Sequence, residues 1–145
     1  MALYLGEKWP AEMARTPPAF EREENKIWQD FLSGFADSYA YFHYNVKIGA
    51  DRILPGEKEE PLKRMEEEIA LKRIDAIGFR SGVYDIFEIR KRAGPGTLGQ
   101  ALTYETLWER WGVQGVSFTI NIITDQMDID TQFAARNRGI TVFIV

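Results

Sequence analysis

A chain of 145 residues with 18 basic and 22 acidic side chains carries a net charge of −4, which argues against broad, charge-driven binding to nucleic acid. The absence of cysteine excludes disulfides, thiolate metal sites and cysteine nucleophiles. No apolar run approaches the ~18 residues of a membrane span, and Met1 to Pro10 has neither the basic start nor the apolar core of a signal peptide, so a soluble protein is expected.

Residues 1–18 contain Trp9-Pro10 and Pro17-Pro18 with little periodicity and read as an irregular arm packed through Tyr4, Leu5 and Trp9. Residues 19–145 then read as one domain, long enough to bury roughly 68–70% of its unfolded surface. Pro18 suits the first turn of a helix with Thr16 as its cap, and Phe20, Ile27, Trp28, Phe31 and Phe35 form an apolar stripe at helical spacing. Glu24 lies on that stripe, so it either neutralises an arginine or joins a charged site. From Tyr41 to Ile48 apolar and polar residues alternate as in a strand, with Phe42, Tyr44, Val46 and Ile48 inward and His43, the only histidine, on a solvated face. Residues 49–68 are rich in charge, glycine and proline, and predict a loop or short surface helix able to move over a site.

From about Ile69 to Arg90, two β-prone runs flank Ser81-Gly82, a dipeptide suited to a two-residue hairpin turn. With that turn, paired residue numbers sum to 163, and Asp75 stands opposite Glu88. Like charges so placed destabilise a sheet unless a cation compensates. Arg73 and Arg90 share their face, so a balanced four-charge ladder that pins strand register is one reading. Gly94-Pro95-Gly96 then interrupts the chain, and Thr97 caps a helix to about Trp111 that carries Gln100, Tyr104, Leu107, Trp108 and Trp111 on one face. Val116 to Ile123 reads as a buried strand, Asp128 to Asn137 as a short helix stopped by Gly139, and Ile140 to Val145 as a last strand.

The order helix, three strands, helix, strand, followed by a helix and a strand, resembles the PD-(D/E)XK nuclease superfamily. It implies an α/β fold with a mixed central sheet flanked by helices, a restriction-endonuclease-like core. Asp75 matches the motif aspartate and Glu88 the acid of the (D/E)-x-K element. Gln100 and Tyr104 match the Gln-x-x-x-Tyr helix signature of the RecB-like branch, and Glu24 stands where some members carry an extra acid. Two departures are visible: Arg90 replaces the motif lysine, and Ile74 replaces the motif proline.

The resemblance implies a metal-dependent DNA nuclease. Its catalytic set would be Asp75, Glu88, Arg90, Gln100 and Tyr104, with Mg²⁺ or Mn²⁺ held by Asp75, Glu88, the Ile89 backbone carbonyl and, in some members' manner, Glu24. Arginine grips phosphate but stays protonated and cannot act as a base. Hence a second reading: a catalytically degenerate nuclease fold used as a structural or adaptor component, such as a head-completion, neck or packaging part of a phage particle. Its partners would be further copies of itself or virion proteins. A third reading is a non-catalytic nucleic-acid binder. The expected location is cytoplasmic, or virion for the phage component.

Overall fold

The computed structural model describes residues 2–11, 16–49 and 71–145. The expected loop or lid over 49–68 therefore lies, beyond Gly49, outside the described residues. Strands β1 (Ala2–Tyr4), β2 (Tyr41–Gly49), β3 (Lys72–Arg80), β4 (Val83–Ala93), β5 (Ser117–Met127) and β6 (Thr141–Ile144) form one sheet in chain order. Neighbours β1 to β4 are antiparallel, whereas β4, β5 and β6 run parallel. Parallel neighbours need a crossover, supplied by α2 (Pro95–Trp111) and α3 (Ile129–Asn137), while α1 (Arg22–Phe35) precedes β2. Ala101, Tyr104, Trp108 and Ala135 from α2 and α3 join the core on one face of the sheet, whereas Ile27, Trp28, Phe31 and Leu32 of α1 fill the other. This is the expected α/β architecture with a mixed, helix-flanked sheet.

The α1 face is built from stacked and edge-on rings. Trp28 lies 5.3 Å from Phe31 and 5.4 Å from Phe87, and its indole N–H donates to the Tyr44 hydroxyl at 3.0 Å. Such pairs add directional preference to the burial of large apolar surface. The helix starts four residues later than Pro18 suggests, because Ala19 has a left-handed φ of 66° and turns the chain before Arg22. Glu21 is its N-cap, without a side-chain hydrogen bond, so Thr16 has no capping role.

The N-terminal arm is more regular than its composition indicates. Residues Ala2–Tyr4 pair with β2, and Trp9 exchanges backbone hydrogen bonds of 2.8 and 2.9 Å with Phe42. This covers His43, which is 4% exposed rather than solvated, with Nδ1 3.0 Å from the Glu7 carbonyl. A carbonyl only accepts, so Nδ1 carries the hydrogen.

The Ser81-Gly82 turn forms as the sequence indicates, with φ of 46° and 77°, the doubly positive pattern of a twisted hairpin turn. Pairing runs from Arg80↔Val83 to Ala76↔Phe87 in the expected register. It ends there, one pair short of Asp75 and Glu88. On the other side of β3, pairing with β2 skips Asn45, whose φ is 50°. The strand changes face at that residue: Phe42 and Tyr44 pack under α1, but Val46 and Ile48 pack under α2. The sheet is locally interrupted on both sides of Asp75.

Candidate active site

Where its ladder to β4 stops, β3 offers a side chain in place of a backbone acceptor. Asp75 Oδ2 accepts the Ile89 N–H at 2.8 Å. The carboxylate thus satisfies a buried donor and fixes the Asp75 side chain against β4. Glu88, on the α2 side of β4, is 1% exposed. Arg90 approaches it, with Nε 2.9 Å from Glu88 Oε1, and also lies 3.8 Å from Glu24 Oε1 through Nη1. The approach is close enough for an ion pair but lies off the hydrogen-bond direction. Neither Glu88 carboxylate oxygen receives a well-aligned hydrogen bond among the described residues, although the Tyr104 hydroxyl and the Arg90 guanidinium both lie close enough to favour its charge.

Burial raises the Asp75 carboxyl well above its ordinary range, and the neighbouring Glu88 charge pushes it further. Burial likewise raises Glu88 and Glu24. Each shift has the same origin: taking a carboxylate out of water disfavours its charged form. A positive charge placed between Asp75 and Glu88 would reverse that preference.

The helix signature also reaches this place. Gln100 Nε2 donates to the Tyr104 hydroxyl at 3.0 Å, and the hydroxyl gives its single proton to the Arg73 carbonyl at 2.6 Å. Burial raises the Tyr104 phenol, with the charges of Glu88 and Asp75 adding to it, so it remains a neutral donor. The helix is held to β3 by these bonds and begins at Pro95, where Thr97 Oγ1 accepts the Gly94 N–H at 3.3 Å. Thr97 is thus at the third helical position, and Gly94, not Thr97, is the cap.

Asp75, Glu88, Arg90 and Tyr104 are therefore neighbours, joined by Glu24 through Arg90 and by Gln100 through Tyr104. Arg73 is the exception in the four-charge ladder: its side chain is exposed and reaches Asn45 Oδ1 at 3.4 Å, leaving only its carbonyl in the cluster. Among the described residues, no group of three or more His, Cys, Asp or Glu side chains is arranged to hold a metal ion alone. What the cluster could offer a cation is two carboxylates, Asp75 and Glu88.

A second buried carboxylate, Asp85, escaped the sequence reading. It is 3% exposed and accepts from Tyr39 Oη at 2.8 Å, Thr119 Oγ1 at 2.6 Å and the Arg80 guanidinium. An acid on the same strand face as Phe87 was the available signal, since buried carboxylates are almost always partnered.

No protein-family model and no curated protein sequence matches this chain. A crystal structure of a repair endonuclease from Pyrococcus abyssi is similar over 91% of this chain and 49% of its own length, with a TM-score of 0.51 and 12% sequence identity. A structure of an EndoMS–dsDNA2 complex is similar over 92% of this chain and 46% of its own, with a TM-score of 0.48 and 13% identity. The chain spans about half the length of each. The first likeness shows a restriction-endonuclease-like nuclease fold, in agreement with the order of elements read from the sequence.

Proposed function

We propose that this chain is a metal-dependent phosphodiester hydrolase acting on DNA, using Mg²⁺ or Mn²⁺. The observation that carries this reading is Glu88: a carboxylate sealed from water, met by the half-exposed Arg90 off the hydrogen-bond direction, and raising by its charge the neighbouring Asp75 carboxyl. One arginine shared among Glu88 and Glu24 leaves Asp75 and Glu88 incompletely compensated, and a bound metal cation would supply the remaining interaction. Asp75 and Glu88 would hold the ion. In an extended strand a residue's N–H and C=O point to the same side, and the Ile89 N–H points to Asp75, so the Ile89 carbonyl lies on the edge where a third donor is required. Few protein oxygens completed by water is the usual arrangement for Mg²⁺.

When bound, the ion lowers the pKa of a coordinated water and stabilises charge on the attacking and leaving oxygens. Arg90, about half exposed and already among the acids, would turn from Glu88 to the substrate phosphate, which its planar fork grips in bidentate fashion. Because it stays protonated, Arg90 stabilises charge and takes no proton from water. Gln100 retains an amide N–H and its carbonyl for water or phosphate, while Tyr104 positions it. Glu24 holds Arg90 from the far side. That the similar crystal structure is described as a repair endonuclease supports a nucleic-acid substrate.

The Arg90–Glu88 ion pair favours a second reading, in which the guanidinium closes the site permanently and the fold serves as an assembly module, for example in a virus particle, bound to copies of itself or to virion proteins. Calorimetric titration of Mg²⁺ and Mn²⁺, paired with plasmid nicking, separates the two. The nuclease reading expects wild type to bind and nick, and Asp75→Asn to lose both while its thermal midpoint is kept, because the amide oxygen still accepts the Ile89 N–H. A folded wild type that neither binds metal nor nicks supports the assembly module. DNA binding that falls steeply with salt, without metal uptake, supports a non-catalytic binder.

A further inference from the structure

At the opposite end of β4 from the acidic cluster, beneath the C-terminal end of α1, lies a cavity of about 540 Å³ lined by Phe35, Tyr39, Arg80, Asp85, Asn121 and Phe143 among others. Its volume is within the range of small-molecule sites. Asp85 and Arg90 are five positions apart on β4, which at roughly 3.3 Å per residue puts about 16 Å between the two places. The cavity plays no part in the proposed hydrolysis.

Its polar groups are unusually constrained. Asp85 is buried and already accepts from Tyr39, Thr119 and two nitrogens of Arg80. Those contacts saturate the carboxylate, so it offers nothing to a ligand. They also fix the guanidinium plane. Of the five N–H groups of an arginine, two go to Asp85, and the guanidinium also lies beside the Tyr39 hydroxyl. The Arg80 side chain is 39% exposed, so its N–H groups beyond these contacts face solvent in a fixed orientation.

Two further features narrow the ligand. Asn121 Nδ2 donates to the Ile86 carbonyl at 3.2 Å and to Thr119 Oγ1 at 2.9 Å, which uses both amide hydrogens and leaves Oδ1 as a fixed acceptor. Phe35, 42% exposed, and Phe143 meet edge to face at 5.3 Å and form an apolar aromatic wall. Exposure of a large ring beside a fixed cation is what a flat ligand with an anionic end requires. A purely structural Asp85–Arg80 pair would pin the hairpin turn but would need neither the open wall nor the unused acceptor.

We infer that this cavity binds a nucleoside monophosphate group, its phosphate on Arg80, its base against Phe35 and Phe143, and a base or sugar donor on Asn121 Oδ1. The group can come from a free nucleotide or from the 5′-phosphorylated end of a strand. The inference does not rest on metal-dependent cleavage, and it is testable in metal-free buffer.

The test is an amide-resonance titration of the ¹⁵N-labelled chain with deoxynucleoside monophosphates, thymidine, inorganic phosphate and a short single strand with and without a 5′-phosphate. The expected result is saturable shifts at residues 80–85 and 119–121 with the monophosphates, weaker ones with thymidine or phosphate alone. Arg80→Lys, which keeps a cation beside Asp85 but loses the fork, should weaken binding about tenfold. Phe35→Ala, at a position 42% exposed but stacked on Phe31, should keep the dispersed amide spectrum of the folded chain, weaken nucleotide binding and spare inorganic phosphate. A phosphorylated strand that binds more tightly than the mononucleotide identifies strand ends as the source; mononucleotide binding alone identifies free nucleotide. Asp75→Asn should leave the mononucleotide shifts at residues 80–85 and 119–121 unchanged, which separates this site from the acidic cluster. Absence of saturable shifts with any probe, or shifts that neither variant alters, would overturn the inference.

Discussion

Glu88 is 1% exposed while the Arg90 side chain beside it is 49% exposed, so removing the arginine has two opposed effects. Without metal, Arg90→Gln leaves a buried carboxylate uncompensated, a loss of about 1–3 kcal/mol, held to the lower end because solvent already screens the exposed guanidinium. With metal, the same change frees Glu88 from a tethered competitor. Denaturant unfolding in chelator should therefore show Arg90→Gln less stable than wild type, and calorimetry should show it binding Mg²⁺ more tightly; weaker binding would mean that Arg90 assists the ion instead of competing with it. His43 permits a cleaner acid–base experiment. Burial holds it below its ordinary value of 6.5, with Lys8 adding to the effect. Between the folded value and 6.5 the unfolded chain binds more protons, so stability is complete above that window and falls as pH falls through it. His43→Asn keeps a side-chain N–H for the Glu7 carbonyl and removes the titration. Unfolding free energies from about pH 7 down to about pH 5 should decline more in wild type than in the variant.

At the level of strands and helices, periodicity and turn chemistry were informative and side-chain interruptions of the ladder were not. Ser81-Gly82 announced its hairpin and register, and Gln100 and Tyr104, one helical turn apart, announced a common face. Phe42, Tyr44, Val46 and Ile48 were legible as buried, but not as divided between two cores, because that division depends on one non-glycine residue with positive φ. Asparagine is among the few residues that tolerate this conformation, and its identity alone does not show that it adopts it. Asn45→Gly should be nearly neutral, whereas Asn45→Val, β-branched in a left-handed conformation, should cost about 1–2 kcal/mol in denaturant unfolding. Equal costs for both would place the effect in the lost Arg73 contact instead. The acceptance of the Ile89 N–H by Asp75 was similarly hidden: numbering that sums to 163 finds the opposed acids, but not that the ladder ends just before them.

Across the whole molecule, sheet order equals chain order, which gives the two halves very different routes to assembly. Strands β3 and β4 are joined by two residues, whereas β4 to β5 and β5 to β6 must each close a loop containing a helix. Short closures lose less chain entropy, so the hairpin should be formed when the rate-limiting step is crossed and the parallel pairings completed after it. Gly82 and Gly139 allow this to be tested with matched changes. Their φ angles are 77° and 76°, and an added Cβ meets nothing within 4 Å at either, so alanine introduces similar backbone strain in both places. In stopped-flow kinetics, Gly82→Ala should chiefly slow folding and Gly139→Ala chiefly speed unfolding; the reverse partition would place nucleation in the parallel half. The same hairpin carries Asp75 and Glu88. The chain must therefore bring its two mutually repelling acids together at the outset of folding, when protonation or an early-arriving cation would quicken the very step that neutral, metal-free conditions retard.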